Sequence, residues 1–98
     1  MSKILVVDTE PRWLSFCQEC GLDTSEEILP GYDLLILSSR MMSLTYSTNL
    51  PVIIATLQPI TREAIVAYRH KNVVDYIAKD LRKDKLLKAI SRVVEFDK

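Results

Sequence analysis

Cys17-Gln18-Glu19-Cys20 is the first pattern in the chain with a chemistry attached. A C-x-x-C pair works as a redox couple when a helix N-terminus lowers the pKa of one thiol. Here the pair falls near the far end of a helical stretch, where the peptide dipoles disfavour a thiolate. The i, i+3 spacing puts both sulfurs on one helical face, which predicts core packing. A zinc site would need two further ligands, and His70 is the sole histidine. His70 is expected near the end of a helix over 61–71, where an imidazolium meets the dipole favourably. Gly21 and Gly31 are isolated, so no glycine-rich phosphate loop is present. No nucleophile elbow or Ser-His-Asp spacing is visible.

Composition narrows the classes further. The 98 residues carry 13 basic and 13 acidic side chains, which removes the electrostatic argument for a nucleic-acid or membrane-surface partner. An apolar share of 48% supports a single domain, 1–98, with its own core. No apolar run approaches the ~18 residues of a spanning helix. The opening Met-Ser-Lys-Ile-Leu-Val-Val-Asp is too short for a signal-peptide core and reads as a buried strand. Two cysteines give no disulfide framework, so the expected location is cytoplasmic. The charge is polarised: residues 1–50 hold three bases against seven acids, and 51–98 hold ten against six. Much of the basic excess lies between Lys79 and Arg92. It reads either as a solvated helix face or as a docking surface for an acidic protein.

Four apolar runs read as strands: Ile4–Val7, Leu34–Leu37, Val52–Ala55 and Val73–Ile77. Their continuity fits strands covered on both faces of a parallel sheet. Helical spacing over 11–20, with Pro11 in the first turn, predicts one helix. Thr61 is a candidate cap for a second helix to about Lys71, with Ile60 and Ile65 as a hydrophobic staple. A third should run from about Asp84 to Phe96, with Leu86, Leu87, Ile90, Val93 and Val94 as its stripe. Residues 39–50 are just long enough for a crossover and rich in Ser and Thr, so a stunted turn is expected there. A single crossover across 9–31 would put every helix on one face of the sheet by the handedness rule. A vestigial strand near Leu22–Thr24 removes that conflict. A helical turn over Ser25–Leu29, capped by Asp23 or Thr24, should follow it.

Four landmarks then occur in order. Lys3–Asp8 leads into Thr9-Glu10-Pro11, Tyr32–Leu37 into Ser38-Ser39-Arg40-Met41-Met42, Pro51–Ala55 into Thr56, and Asp75-Tyr76-Ile77-Ala78 into Lys79. Over nearly the whole chain this series resembles the receiver domain of two-component response regulators. The resemblance implies a flavodoxin-like, three-layer α/β/α parallel sheet, and the connection lengths shorten it here to a vestigial or missing second strand and a stunted third helix. It also implies a site at the carboxyl ends of the strands. In the family an acidic pair binds Mg²⁺, an Asp accepts a phosphoryl group from a histidine kinase, and a hydroxyl and a lysine contact the phosphoryl oxygens.

This chain keeps only part of that pattern. Asp8 matches the first acid, but Thr9 stands in place of the second. Ser38 stands at the phosphoacceptor position. Thr56 matches the switch hydroxyl, Tyr76 the switch aromatic and Lys79 the lysine. The proline that usually follows the lysine is Asp80, and a common glycine before the last strand is Asn72. Mg²⁺ favours hard anionic oxygens in an octahedral array, and two of three carboxylates are gone. No metal or other cofactor is therefore expected. Ser38 has no evident general base beyond Asp8. Glu10 should start the helix and point away. Asp8 and Lys79 should neutralise one another, with Arg40 adding positive charge to the same pocket. The pair reads as a locked site or as a remnant kept because an unpaired buried charge is costly.

The sequence therefore predicts a stand-alone pseudo-receiver that is not an enzyme and signals through protein contacts. The resemblance places the contact face on the last two helices and the strand between them, with Tyr68, Arg69, Tyr76, Arg82, Lys83 and Lys88. The expected partner is a histidine kinase or another signalling protein, or a second copy. Rival readings are phosphorylation at an atypical residue, a Cys17/Cys20 redox role, and a remnant without a present function.

Overall fold

The computed structural model describes residues 2–57, 61–67 and 69–95. Five parallel strands form one sheet: β1 (Ile4–Val7), β2 (Asp23–Ser25), β3 (Leu34–Ser38), β4 (Val52–Thr56) and β5 (Val73–Ala78). Their order is β2-β1-β3-β4-β5, the flavodoxin-like arrangement. Every residue of β1, β3 and β4 is buried, as their unbroken apolar runs require.

The pleat divides these strands between two cores. Ile4, Val6, Leu34, Ile36, Ile53, Ala55 and Ile77 share one core with residues of two helices. These are α1 (Pro11–Glu19), through Trp13 and Cys17, and α3 (Lys83–Ser91), through Leu86, Ala89 and Ile90. Leu5, Val7, Leu35, Leu37, Val52 and Ile54 face the other way. Each buried Leu or Ile contributes about 1.5–3 kcal/mol, and the strands give the two faces similar numbers of buried side chains, while the helices add most to the first.

α1 ends where glycine allows it. Gly21 has φ +85°, its N–H donates to the Gln18 carbonyl at 3.0 Å, and the Leu22 N–H reaches the Cys17 carbonyl at 3.0 Å. This is a Schellman cap, and it turns the chain straight into β2. The three-residue β2 confirms the vestigial strand inferred from crossover handedness.

The helical turn expected over Ser25–Leu29 is absent. Ser25 belongs to β2, and its hydroxyl accepts the Glu27 N–H at 3.1 Å, forming a local turn instead. Pro30 also biases Leu29 away from helix. Ile28 and Tyr32 cover the second core from this irregular segment.

The stunted turn after β3 is a 3₁₀ segment, Ser39–Ser47, kinked at Met41 (φ −107°, ψ 18°). Met41, Met42 and Leu44 pack from it onto the second core. Thr45 is fully buried and its hydroxyl donates to the Met42 carbonyl at 2.8 Å. Asn72 fastens the far end by donating through Nδ2 to the carbonyls of Thr45 and Thr48, while its own carbonyl accepts the Val52 N–H.

Two helices are shorter than their sequence patterns. α2 spans Arg62–Ala67 rather than extending to Lys71. The Thr61 carbonyl accepts the Ile65 N–H as expected of a cap position, while Ile60 lies outside the described residues. The chain beyond is used for contacts. His70 Nδ1 accepts the Asn72 N–H, and the His70 ring meets Tyr46 edge-on at 4.6 Å, so His70 is not a helix cap. α3 begins at Lys83 and stops at Ser91, short of Phe96, which lies outside the described residues. Val93 and Val94 still pack on the first core, and the Glu95 carbonyl accepts the Ser2 N–H at 3.0 Å. At the sheet edge β5 carries a bulge at Val74, and Asp75 Oδ1 accepts the Tyr76 N–H at 2.8 Å.

Asn72→Ala is predicted to lower the unfolding free energy by about 1–3 kcal/mol by orphaning two carbonyls and freeing the 3₁₀ segment. Urea unfolding should show a lower midpoint at unchanged slope.

Candidate functional site

β1 connects to α1 on one face of the sheet, and β3 connects to the 3₁₀ segment on the other. The chain therefore parts above the carboxyl ends of these neighbouring strands and leaves a crevice. Asp8 follows β1 and Ser38 ends β3. Thr56 ends β4, and its carbonyl accepts the Lys79 N–H at 2.8 Å, which sets Lys79 beside it just past β5. The structure thus brings Asp8, Thr9, Ser38, Thr56 and Lys79 to one end of the sheet.

At the centre is a buried ion pair. Lys79 Nζ donates to Asp8 Oδ2 at 2.5 Å; the side chains are 3% and 0% exposed. The same ammonium donates to Ser38 Oγ at 3.1 Å and to Glu10 Oε2 at 3.3 Å. It also lies 5.9 Å from the centroid of the Trp13 ring, within cation–π range. Asp8 Oδ1 accepts the Thr9 N–H at 2.7 Å and an Arg40 guanidinium N–H at 3.1 Å. The Arg40 group also donates to Thr9 Oγ1 at 3.3 Å.

Glu10 departs from the expectation that it would point away. It occupies the N-cap position of α1 but makes no side-chain cap bond. With Pro11 next, one of the helix-end donors is already absent. The carboxylate turns to Lys79 instead, a three-quarters buried ion pair. Glutamate is a poor N-cap, and that is the sequence signal that marks it.

Burial pushes the Asp8 carboxyl up. The Lys79 hydrogen bond, the Thr9 amide, the Lys79 charge and Arg40 together outweigh it, and the group is held below the ordinary 3.8. Asp8 is therefore a carboxylate at neutral pH. Ser38 is buried and accepts from a lysine that two carboxylates keep occupied as a donor. Lys79 is accordingly no base for the Ser38 hydroxyl.

A cleft of about 360 Å³ opens over this cluster, lined by Glu10, Ser38, Ser39, Arg40, Thr56, Leu57 and Lys79. The Mg²⁺ that the family resemblance implies does not fit these donors. Both Asp8 oxygens already accept N–H bonds from cationic or main-chain groups. The hydroxyls of Thr9 and Ser38 are neutral and bonded to Arg40 and Lys79. Among the described residues no cluster of three or more His, Cys, Asp or Glu is placed to hold a metal ion.

The remaining sequence candidates lie away from the cluster. Tyr76 is half-buried against the second core, with its hydroxyl donating to the Ile65 carbonyl of α2 at 3.3 Å. Arg69, Arg82, Lys83 and Lys88 are exposed, and Arg82 is engaged with Asp84 at 3.2 Å. Tyr68 lies outside the described residues. Cys17 and Cys20 are both buried, and burial with the neighbouring Cys20 pushes the Cys17 thiol up to about 12. That is the reverse of what a redox nucleophile needs.

Asp8→Asn and Lys79→Met are each predicted to cost about 3–5 kcal/mol, because each strands a buried partner. The double variant should cost much less than the two losses summed. Asp8 has a folded pKa below its unfolded value, so its contribution is complete above that value and fades as pH falls through the folded one. Unfolding free energy should therefore drop more steeply in wild type than in Asp8→Asn below about pH 4.

No family model matches the sequence, and no curated protein matches it. Solved structures do. A response regulator protein from Burkholderia multivorans is 13% identical with a TM-score of 0.67, covering 100% of this chain and 99% of its own. NtrX from Brucella abortus is 18% identical with a TM-score of 0.65, over 94% of this chain and 26% of the NtrX chain. With the strand order and the crevice, this likeness shows that the chain has the receiver-type, flavodoxin-like fold of response regulators.

Proposed function

We propose that this protein is a pseudo-receiver, a signalling module that works through protein contact without capturing a phosphoryl group. The observation that carries the reading is the state of Asp8. Both of its oxygens are committed to internal donors, and the acceptor position holds Ser38, a neutral hydroxyl tied to Lys79. Aspartyl phosphorylation needs a carboxylate nucleophile and a divalent cation over the transferring group. Neither requirement is met by these side chains.

The contact face in this reading comprises α2, β5 and α3. Val66 and Val74 are exposed on these elements, and Arg69, Lys83 and Lys88 are exposed as well. Exposed apolar and basic side chains together suit an acidic protein surface. The location proposed for this role is the cytoplasm; no helix among the described residues is long and apolar enough to cross a membrane.

The test is incubation of the full chain with Mg²⁺ and a small acyl phosphate, read by intact mass. The expected outcome is an unmodified chain in wild type and in Ser38→Ala alike. A phosphoryl adduct on wild type that Ser38→Ala abolishes would support the alternative of an atypical phosphoacceptor and overturn the pseudo-receiver reading.

A further inference from the structure

Missing carboxylates alone do not describe how the crevice is closed to metal ions. Arg40 is 63% exposed, yet its guanidinium reaches down to a fully buried carboxylate. It bonds Asp8 Oδ1 at 3.1 Å and Thr9 Oγ1 at 3.3 Å, and it lines the cleft above Ser38. The backbone favours this reach. Arg40 is the second residue of the 3₁₀ segment, which Met41 and Met42 anchor to the second core immediately beyond it.

We propose that Arg40 is the resident counter-cation of this crevice, and that its charge bars divalent metal ions from Asp8. This goes beyond the signalling reading, because it assigns a defined share of the exclusion to the charge of one side chain. Formal charge makes the case. Asp8 and Glu10 bring two negative charges, and Lys79 and Arg40 bring two positive ones. A divalent ion entering that set would leave an excess of two positive charges in a partly buried pocket. Thr9→Asp alone still leaves an excess of one. Thr9→Asp with Arg40 removed gives three negative charges against Lys79 and the metal, which balance. Thr9 is the natural place for the added carboxylate, since its Oγ1 already touches Arg40.

The experiment titrates MnCl2 and MgCl2, without any phosphodonor, into wild type, Thr9→Asp, Thr9→Asp/Arg40→Ala and Thr9→Asp/Arg40→Gln. Trp13 fluorescence is one readout, because its ring borders Lys79, and the shift in thermal midpoint is the other. Wild type should give no saturable response at millimolar metal. Both double variants should bind at least about tenfold more tightly than Thr9→Asp alone. Glutamine keeps most of the bulk of arginine, so its agreement with alanine separates charge from steric blocking. The proposal is overturned if Thr9→Asp binds as tightly as the double variants, if the glutamine form stays closed while the alanine form opens, or if a double variant with a cooperative thermal transition gives no saturable response. A phosphoryl adduct on wild type would overturn the pseudo-receiver reading and leave these affinities untouched.

Discussion

A lysine ammonium 3% exposed to solvent has to be matched by anions, and that single requirement organises the molecule. Asp8 meets it from just past the end of β1 and Glu10 from the N-cap of α1, while the Ser38 hydroxyl at the end of β3 accepts a further hydrogen bond. The partners come from residues 8–38, while the lysine comes from position 79. The contact therefore closes the sheet across almost its full sequence separation. It also constrains how β1, β3 and β5 terminate, because residues at or just past their ends must reach the same point. Trp13 supports the cation from below, so the first core and the charged cluster share a wall.

The sheet was legible because its signal is redundant. Four apolar runs, three of them buried along their whole length, specify strands almost regardless of context, and crossover handedness called for a fifth. The Asp8–Lys79 contact was legible for a related reason: family resemblance placed both residues, and electrostatics left them few alternatives. What escaped was set by tertiary competition. The pattern of α2 favours helix to Lys71, but Asn72 is needed to hold the 3₁₀ segment and His70 to meet Asn72 and Tyr46. Local preference over 68–71 is worth a few tenths of a kcal/mol per residue and yields to such contacts. Glu10 escaped because its helix position predicts its backbone, whereas a buried ammonium several strands away decides its side chain.

The two faces of the sheet are served unequally. α1 and α3 lay regular apolar stripes on the first core. The second core is covered by Ile28 and Tyr32 from an irregular stretch and by three side chains of a kinked 3₁₀ segment. A 3₁₀ segment has poorer hydrogen-bond geometry than an α-helix and gains less from its own backbone. Its placement here depends on the buried Thr45 hydroxyl within the segment and on an outside fastener, the side-chain amide of Asn72. Arg40 lies at the start of this segment, so the reach of its guanidinium to Asp8 is another attachment of the same kind.

The last strand carries one more consequence. β5 forms the outer border of the sheet, and a border strand ordinarily offers its amide hydrogens to any passing extended chain. In β5 the residue at Val74 breaks the ladder spacing, and the neighbouring carboxylate of Asp75 has taken the Tyr76 hydrogen for itself. An incoming strand would have to dislodge that carboxylate and match an irregular spacing. The border is thereby made a poor template for fibrous stacking, with the safeguard written into two consecutive residues.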